Sequence, residues 1–131
     1  MKKTTLLNAE LSYTIATLGH TEMLVVADAG LPIPPETARI DLALTQGVPG
    51  ALETLRVILE EMKVEKAVLA EEVKAYNPQF LEAARQLLPG VTLEFVAHSQ
   101  FKALTRDARA VVRTGEFSAY ANIILISGVV F

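Results

Sequence analysis

Cysteine is absent from this 131-residue sequence, and only 6% of its residues are aromatic. Without cysteine the chain has no disulfide bond and no thiolate ligand for a metal ion. Its two histidines, His20 and His98, lie far apart in sequence, and no H-E-x-x-H motif occurs. The sequence therefore gives no support for a metal site.

Nucleotide-binding and hydrolase motifs are also missing. Neither G-x-G-x-x-G nor G-x-x-x-x-G-K-[ST] occurs, so both common phosphate-binding loops are excluded, and no G-x-S-x-G nucleophile turn is present. The 12 basic and 15 acidic residues give a net charge of −3 and are interspersed. Because no basic stripe is formed, nucleic acid is not an expected partner. These absences favour a small neutral ligand.

Long apolar runs are lacking as well. The longest uncharged stretch, residues 117–131, contains the polar residues Asn122 and Ser127 and falls short of the ~20 residues that a membrane span needs. Lys2 and Lys3 are not followed by the apolar region of a signal peptide, because Glu10 interrupts. We expect a cytoplasmic protein with no membrane partner.

Hydrophobic residues are abundant, at 51% of the chain. A chain of this length fits a single domain, residues 1–131, with one core. Such a domain buries roughly two thirds of the surface that its unfolded chain exposes. Because this hydrophobic content is high for a soluble domain, we expect the surplus to lie against other protomers of a homo-oligomer.

Predicted helices and strands alternate along the chain. Asn8 is a good N-cap for a first helix, and Asn77-Pro78 combines an N-cap with proline at the first helical position. The predicted helices cover residues 8–18, 52–62, 77–89 and 99–105. The predicted strands cover residues 23–27, 40–44, 66–70, 92–96, 110–113 and 123–126. This alternation predicts an α/β fold, a doubly wound, mostly parallel sheet flanked by helices.

Polar residues cluster where the predicted strands end. Asp28 follows the first strand and His98 follows the strand that ends near Val96. Tyr120 and Asn122 precede the last strand, and in an extended segment their side chains would project from one face. Ligands of open α/β sheets gather beyond the carboxyl ends of the strands. An acid, an imidazole, a phenol and an amide together can hold and protonate a polyol.

Each of these residues has a second interpretation. Asp28 begins a D-x-G sequence that is typical of a strand-ending turn, and His98 is placed to cap the next helix. Tyr120 and Asn122 could be core or interface residues that are satisfied by backbone hydrogen bonds. His20 could be a basic residue at a helix C-terminus. The residues alone leave these alternatives open.

Five separated blocks resemble the signature of the D-ribose pyranase and fucose mutarotase family. They are Gly19-His20-Thr21, Asp28 through Pro34, Arg39-Ile40-Asp41, His98 through Lys102, and Arg113 through Asn122. The blocks occur in order, and the resemblance spans the whole chain. Glu22 stands where the family often has aspartate, and Ala119 stands where proline usually precedes Tyr-Ala-Asn. The second departure makes the approach to Tyr120 less rigid.

The resemblance implies that β-D-ribopyranose and β-D-ribofuranose are interconverted, which feeds a kinase that accepts the furanose. It also implies that His20 is the proton donor and that Asp28, His98, Tyr120 and Asn122 contact the sugar. Family members form ring-shaped homo-oligomers, typically decamers of two stacked pentamers. Because ring opening and closure move no electrons or phosphoryl groups, we expect no cofactor.

Lys102 lies one turn after His98 on the predicted helix, so it is expected to reach the same sugar; the alternative is a surface lysine. The His98–Lys102 block and the Leu31-Pro32-Ile33-Pro34 loop resemble the ribose branch of the family more than the fucose branch. Fucose mutarotase activity and a non-catalytic sugar-binding role remain the alternative functions.

His20 precedes the first predicted strand, whereas Asp28 follows it. A five-residue strand is about 16 Å long at ~3.3 Å per residue, which is more than a pentose ring can bridge. One sugar is therefore not expected to contact both residues of one chain. We expect a composite site that is built from two protomers.

Overall fold

A computed structural model describes all residues, 1–131. Five α-helices are present: α1 (Ala9–Thr17), α2 (Ala51–Leu59), α3 (Val73–Tyr76), α4 (Pro78–Leu87) and α5 (His98–Leu104), the last followed by a 3₁₀ turn, Thr105–Asp107. Six strands are present: β1 (Met23–Ala27), β2 (Ala38–Asp41), β3 (Val64–Ala70), β4 (Thr92–Val96), β5 (Ala110–Arg113) and β6 (Ile123–Ser127). None of the helices is long and apolar enough to cross a membrane.

The strands form one sheet in the order β2-β5-β1-β6-β3-β4. β1 pairs parallel with β5, β5 with β2, and β3 with β4. β6 lies antiparallel between β1 and β3. Five strands therefore run in one direction, which confirms the mostly parallel α/β sheet. Because β6 runs the other way, its first residues lie at the edge where the other five strands end.

Helices cover both faces of this sheet. On one face, Leu55 and Ile58 of α2 are fully buried in the larger core cluster. On the other face, Phe101 of α5 is fully buried in a smaller cluster. β1 lies between the two clusters, and its last four residues are fully buried. A strand that is covered on both faces has no polar alternation, which explains its continuous apolar run.

Both predicted N-caps are confirmed. The backbone N–H of Leu11 donates to Oδ1 of Asn8 over 2.8 Å at the start of α1. At the start of α4, the backbone N–H of Phe80 donates to Oδ1 of Asn77 over 3.3 Å, and Pro78 is the first helical residue. Each cap satisfies one of the N–H groups that a helix start leaves without a backbone partner.

The second strand ends earlier than the sequence predicts. It was expected at residues 40–44, but β2 ends at Asp41. There the carboxylate of Asp41 accepts hydrogen bonds from Nη1 of Arg113 at 3.1 Å and from the backbone N–H of Ala43 at 3.1 Å. The N–H of Leu42 still donates to the carbonyl of Arg113 over 2.9 Å, but the strand does not continue beyond it, although the apolar residues that follow continue a strand-like pattern.

Candidate functional site

Asp28, His98, Tyr120 and Asn122 meet at the edge where the five parallel strands end. Asp28 directly follows β1, and His98 begins α5, separated from the end of β4 by Ala97 alone. Asn122 directly precedes β6 and Tyr120 lies two residues earlier, and both reach this edge only because β6 is antiparallel. The structure therefore brings together the four residues that the resemblance implies for sugar contact.

Asp28 and Asn122 are joined by two hydrogen bonds. Nδ2 of Asn122 donates to Oδ2 of Asp28 over 2.9 Å, and the backbone N–H of Asp28 donates to Oδ1 of Asn122 over 2.8 Å. The other carboxylate oxygen of Asp28 accepts from the N–H of Gly30, which is the turn expected of a D-x-G sequence. Asn122 is buried, with 1% of its surface exposed. Its amide therefore fixes the orientation of the Asp28 carboxylate.

His98 and Tyr120 form an aromatic pair. Their ring centroids lie 5.1 Å apart in an edge-to-face arrangement. The ring of Tyr120 also lies 5.6 Å from that of Tyr76. Nδ1 of His98 is buried and has no hydrogen-bond partner. A buried polar atom without a partner is uncommon, so this nitrogen is a candidate contact for a ligand hydroxyl.

The suggestion that His98 caps the following helix is wrong. The backbone N–H of His98 donates instead to the carboxylate of Glu72, at 3.0 and 3.2 Å from its two oxygens. Hydrogen bonds from the backbone of Glu72 itself and from His98 hold the pKa of Glu72 below its ordinary value. An ionised Glu72 thus caps α5, and the imidazole of His98 takes no part in the capping.

Tyr120 has a left-handed backbone, with φ of 54°. The expectation of an extended segment, with Tyr120 and Asn122 on one face, is therefore wrong. The N–H of Asn122 donates to the carbonyl of Tyr120 over 2.9 Å and closes a tight turn. That turn directs the phenol towards His98 and the amide towards Asp28. A non-glycine residue in this region costs on the order of 1–3 kcal/mol and is characteristic of functional sites.

A cavity of about 420 Å³ opens beside Asp28. Its volume is in the range of small-ligand sites, about 300–1,000 Å³. It is lined by residues 28–30, Arg113 and residues 116–119. Nε of Arg113 donates to the carbonyl of Ala29 over 3.1 Å and supports the loop that carries Asp28. The sequence argument gave Arg113 no role, although it lies within a family block.

Glu116 is one of the residues that line this cavity. Burial alone would raise the pKa of its carboxyl group, but hydrogen bonds from the backbone N–H of Ala51 and from Ser118 outweigh burial and lower it. Oε1 accepts from Ala51 over 3.1 Å at the start of α2, where the N-cap residue Gly50 has no side chain to offer. Oε2 accepts from the hydroxyl of Ser118 over 2.9 Å. One carboxylate therefore ties a helix start to the loop that leads to Tyr120.

His20 lies at the opposite edge of the sheet, before β1. Its Nε2 is 3.0 Å from Oε2 of Glu65 on β3, and 51% of the histidine side chain is exposed. His20 lines another cavity, of about 440 Å³, together with Ile15, Lys63, Gly128 and Phe131 among others. The structure does not bring His20 to Asp28 within one chain.

Glu22 shapes the turn that carries His20. Its carboxylate accepts a hydrogen bond from the guanidinium of Arg109 and another, over 2.8 Å, from the N–H of Gly19. The bond from Arg109, and then that from Gly19, lower the pKa of Glu22. Glu22 therefore supports the turn before β1 through its bonds to Gly19 and Arg109.

Lys102 lies apart from the Asp28 cavity. It is exposed on α5 and lines a cavity with Arg106, Ser99 and the 32–36 loop. It remains one helical turn from His98, so its contact with the same sugar stays a prediction. No group of three or more His, Asp or Glu side chains is placed to hold a metal ion.

The sequence and the fold match known proteins over their whole length. The model of the RbsD / FucU transport protein family matches residues 1–130. The D-ribose pyranase of Chloroflexus aggregans is 60% identical over 131 residues, with 100% of both chains covered. Bacillus subtilis RbsD complexed with D-ribose has a TM-score of 0.97 at 47% identity, again with 100% of both chains covered. The fucose mutarotase of Streptococcus pneumoniae in complex with L-fucose has a TM-score of 0.82 at 29% identity, over 95% of this chain and 94% of that one.

Proposed function

The chain belongs to the RbsD / FucU transport protein family, and from this membership we propose that it is an isomerase that interconverts the pyranose and furanose rings of D-ribose. The observation that carries the proposal is the full-length likeness to RbsD complexed with D-ribose. The reaction is that of a D-ribose pyranase, acting on the β-anomers and feeding a kinase that takes the furanose. The enzyme acts in the cytoplasm and needs no cofactor.

The residues at the carboxyl edge suit a polyol substrate. Asp28 presents a carboxylate whose direction is set by Asn122, and His98 and Tyr120 present an imidazole and a phenol side by side. We assign these four residues to sugar binding. Asn122 is nearly inaccessible in the single chain, so it contributes to sugar binding mainly by orienting the carboxylate of Asp28.

His20 supplies the proton in this proposal. Opening the ring requires an acid that protonates the ring oxygen and a base that takes the anomeric hydroxyl proton; closing the furanose reverses both transfers at a different hydroxyl. A histidine side chain can give and take a proton near neutral pH. The carboxylate of Glu65 only accepts hydrogen bonds, so it favours a hydrogen on Nε2 of His20. Nδ1 is then the nitrogen that faces the sugar: in the neutral ring it accepts a proton, and in the imidazolium it donates that proton to the ring oxygen.

The active site is composite, and His20 comes from a neighbouring protomer. The support is the placement of His20 and Asp28 at opposite ends of β1, which is about 16 Å long at ~3.3 Å per residue. Phe117 lines the Asp28 cavity and is 65% exposed in the single chain. A neighbour that covers Phe117 also closes this cavity. The assembly we propose is the homodecamer of two pentameric rings that the family resemblance implies.

D-ribose is favoured over L-fucose as the substrate. The likeness to RbsD complexed with D-ribose is greater in both fold and sequence than that to the fucose mutarotase complexed with L-fucose. A non-catalytic sugar-binding protein remains the alternative of a different class. Such a protein would bind ribose without accelerating ring exchange, and it would not need His20.

Saturation-exchange NMR on D-ribose and L-fucose, with and without the protein, tests the proposal. We expect faster exchange between the ribose ring forms and a smaller effect on fucose. The variant His20→Ala should lose the acceleration and keep its assembly, because a proton donor is removed from an exposed position and no core volume is lost. Wild-type protein that binds ribose without accelerating its exchange would establish the non-catalytic alternative.

A further inference from the structure

We propose that Asn77 is a positioning residue for the sugar site, because its side-chain amide holds Tyr120 in the orientation that faces His98. The proposal rests on the ribose-binding role assigned to Tyr120 above. Nothing in the sequence distinguishes Asn77 from an ordinary helix cap, since Asn-Pro is a common helix start.

The Asn77 side chain makes two hydrogen bonds in different directions. Its Oδ1 accepts from the N–H of Phe80 over 3.3 Å and caps α4. Its Nδ2 donates to the carbonyl of Ala119 over 2.9 Å, across 42 positions of sequence. The cap needs only the oxygen. The nitrogen is therefore available to tie the start of α4 to the loop that precedes Tyr120.

The carbonyl of Ala119 belongs to the peptide plane whose rotation sets φ of Tyr120. That φ is 54°, a region that a bulky side chain rarely adopts. Asn77 fixes the plane before Tyr120, and the N–H of Asn122 fixes the plane after it by donating to the Tyr120 carbonyl over 2.9 Å. The two bonds together hold both backbone torsions of Tyr120. Ala119 leaves the approach to this turn less rigid, because alanine lacks the fixed φ that proline would have at position 119.

The Tyr120 ring depends on this backbone conformation. It lies edge-to-face with His98 at 5.1 Å and against Tyr76 at 5.6 Å. Tyr76 is the residue before Asn77, so α3 and the α4 cap support both the ring and the backbone of Tyr120. If the bond from Asn77 is lost, the loop is free to relax towards an ordinary φ. The phenol then moves away from His98.

The variant Asn77→Asp separates positioning from capping. Aspartate caps helices about as well as asparagine, but its carboxylate cannot donate to the Ala119 carbonyl. The matched control is Asn8→Asp. Asn8 caps α1 through the same Oδ1 geometry, accepting from Leu11 over 2.8 Å, and makes no bond to the Tyr120 loop.

The experiment measures ribose ring exchange, ribose affinity, melting temperature and the nuclear Overhauser contact between the Tyr120 and His98 rings in both variants. For Asn77→Asp we expect ribose affinity or exchange to fall about fivefold or more, the size that loss of one hydrogen bond gives, with loss of the ring contact. Asn8→Asp should retain the wild-type ribose affinity, ring exchange and ring contact. If Asn77→Asp misfolds, Asn77→Ser, which also caps, takes its place.

An intact contact between the two rings in the folded Asn77 variant, with unchanged affinity and exchange, would overturn the proposal. The ring contact is measured without sugar, so it also separates this inference from the proposed function. Loss of the contact in a protein whose wild type does not accelerate ribose exchange would refute the enzymatic function and still establish Asn77 as the residue that positions Tyr120.

Discussion

His20 and Asp28 lie at opposite ends of the same strand, with Met23–Ala27 between them. The strand is buried on both faces and pairs with a neighbour on each side. It is therefore a rigid spacer, and no loop movement at either end brings the two side chains together. This relationship governs how mutations at the two ends should combine.

Mixed oligomers should recover activity that neither parent has. We expect His20→Ala and Asp28→Ala to be inactive separately, since each removes one half of every shared site. When the two proteins are dissociated, mixed and reassembled, some interfaces pair an intact His20 with an intact Asp28. Saturation-exchange NMR should then detect partial ribose exchange. Verified hetero-oligomers without any activity would mean that each chain contains a complete site.

Glu65→Gln should impair catalysis more than binding. The amide of glutamine can donate as well as accept, so it no longer favours a hydrogen on Nε2 of His20. We expect the exchange rate at saturating ribose to lose part of the ~10²–10⁴-fold that acid–base catalysis contributes. Nitrogen chemical shifts of His20 should show a mixture of the two neutral tautomers.

The matched control for this change is Glu94→Gln. Glu94 is also an exposed glutamate in an ion pair, 2.9 Å from Lys66, but it lies on β4 away from His20. This variant should keep the wild-type rate and tautomer. Equal rates in the Glu65 and Glu94 variants would contradict a role for Glu65 in orienting His20.

Lys102→Ala should weaken ribose binding without changing stability. The side chain is exposed and is in none of the ion pairs of the single chain, so its removal leaves no unpaired partner. A charged hydrogen bond to a sugar hydroxyl would be worth about 1.5–3 kcal/mol, or roughly ten- to a hundredfold in affinity. Titration by calorimetry measures this, with Lys66→Ala as the comparison. Unchanged affinity would identify Lys102 as a surface lysine.

Glu116 should make folding stability sensitive to acid. Since its pKa is lower in the folded protein than its ordinary value of 4.5, its stabilising effect is complete above that value and disappears as the pH falls through the folded-state pKa. Urea denaturation of wild type and Glu116→Gln at about pH 7 and about pH 3 tests the sign. The stability difference between the two proteins should be larger at the higher pH. A difference independent of pH would argue against an ionised helix cap.

Local patterns predicted the elements well, because they depend on neighbouring residues. The apolar run of β1 and the caps at Asn8 and Asn77 are such features, and each is confirmed. The direction of β6 was not predictable, since a buried apolar strand looks alike in parallel and antiparallel pairing. The left-handed φ of Tyr120 was also missed. One of the hydrogen bonds that hold it joins Asn77 to Ala119, 42 positions away, and the other closes the turn of Tyr120 itself.

The candidate site could likewise be predicted only in part. Asp28, His98, Tyr120 and Asn122 were selected by their position at strand ends, and the structure places them at one edge. The supporting roles of Glu72 and Arg113 could not be selected in this way. Their partners, the His98 N–H and the Ala29 carbonyl, are backbone groups far along the chain, and a backbone group has no signature in sequence.

The central place of β6 has a consequence for how the protein is made. β6 is the only link between the β2-β5-β1 half of the sheet and the β3-β4 half, yet a ribosome synthesises it after the other five strands. Until then, the facing edges of β1 and β3 expose unpaired backbone groups, which are prone to associate with other chains. The sheet therefore cannot be completed before β6 has been synthesised. Protection of the nascent chain by chaperones matters most in that interval.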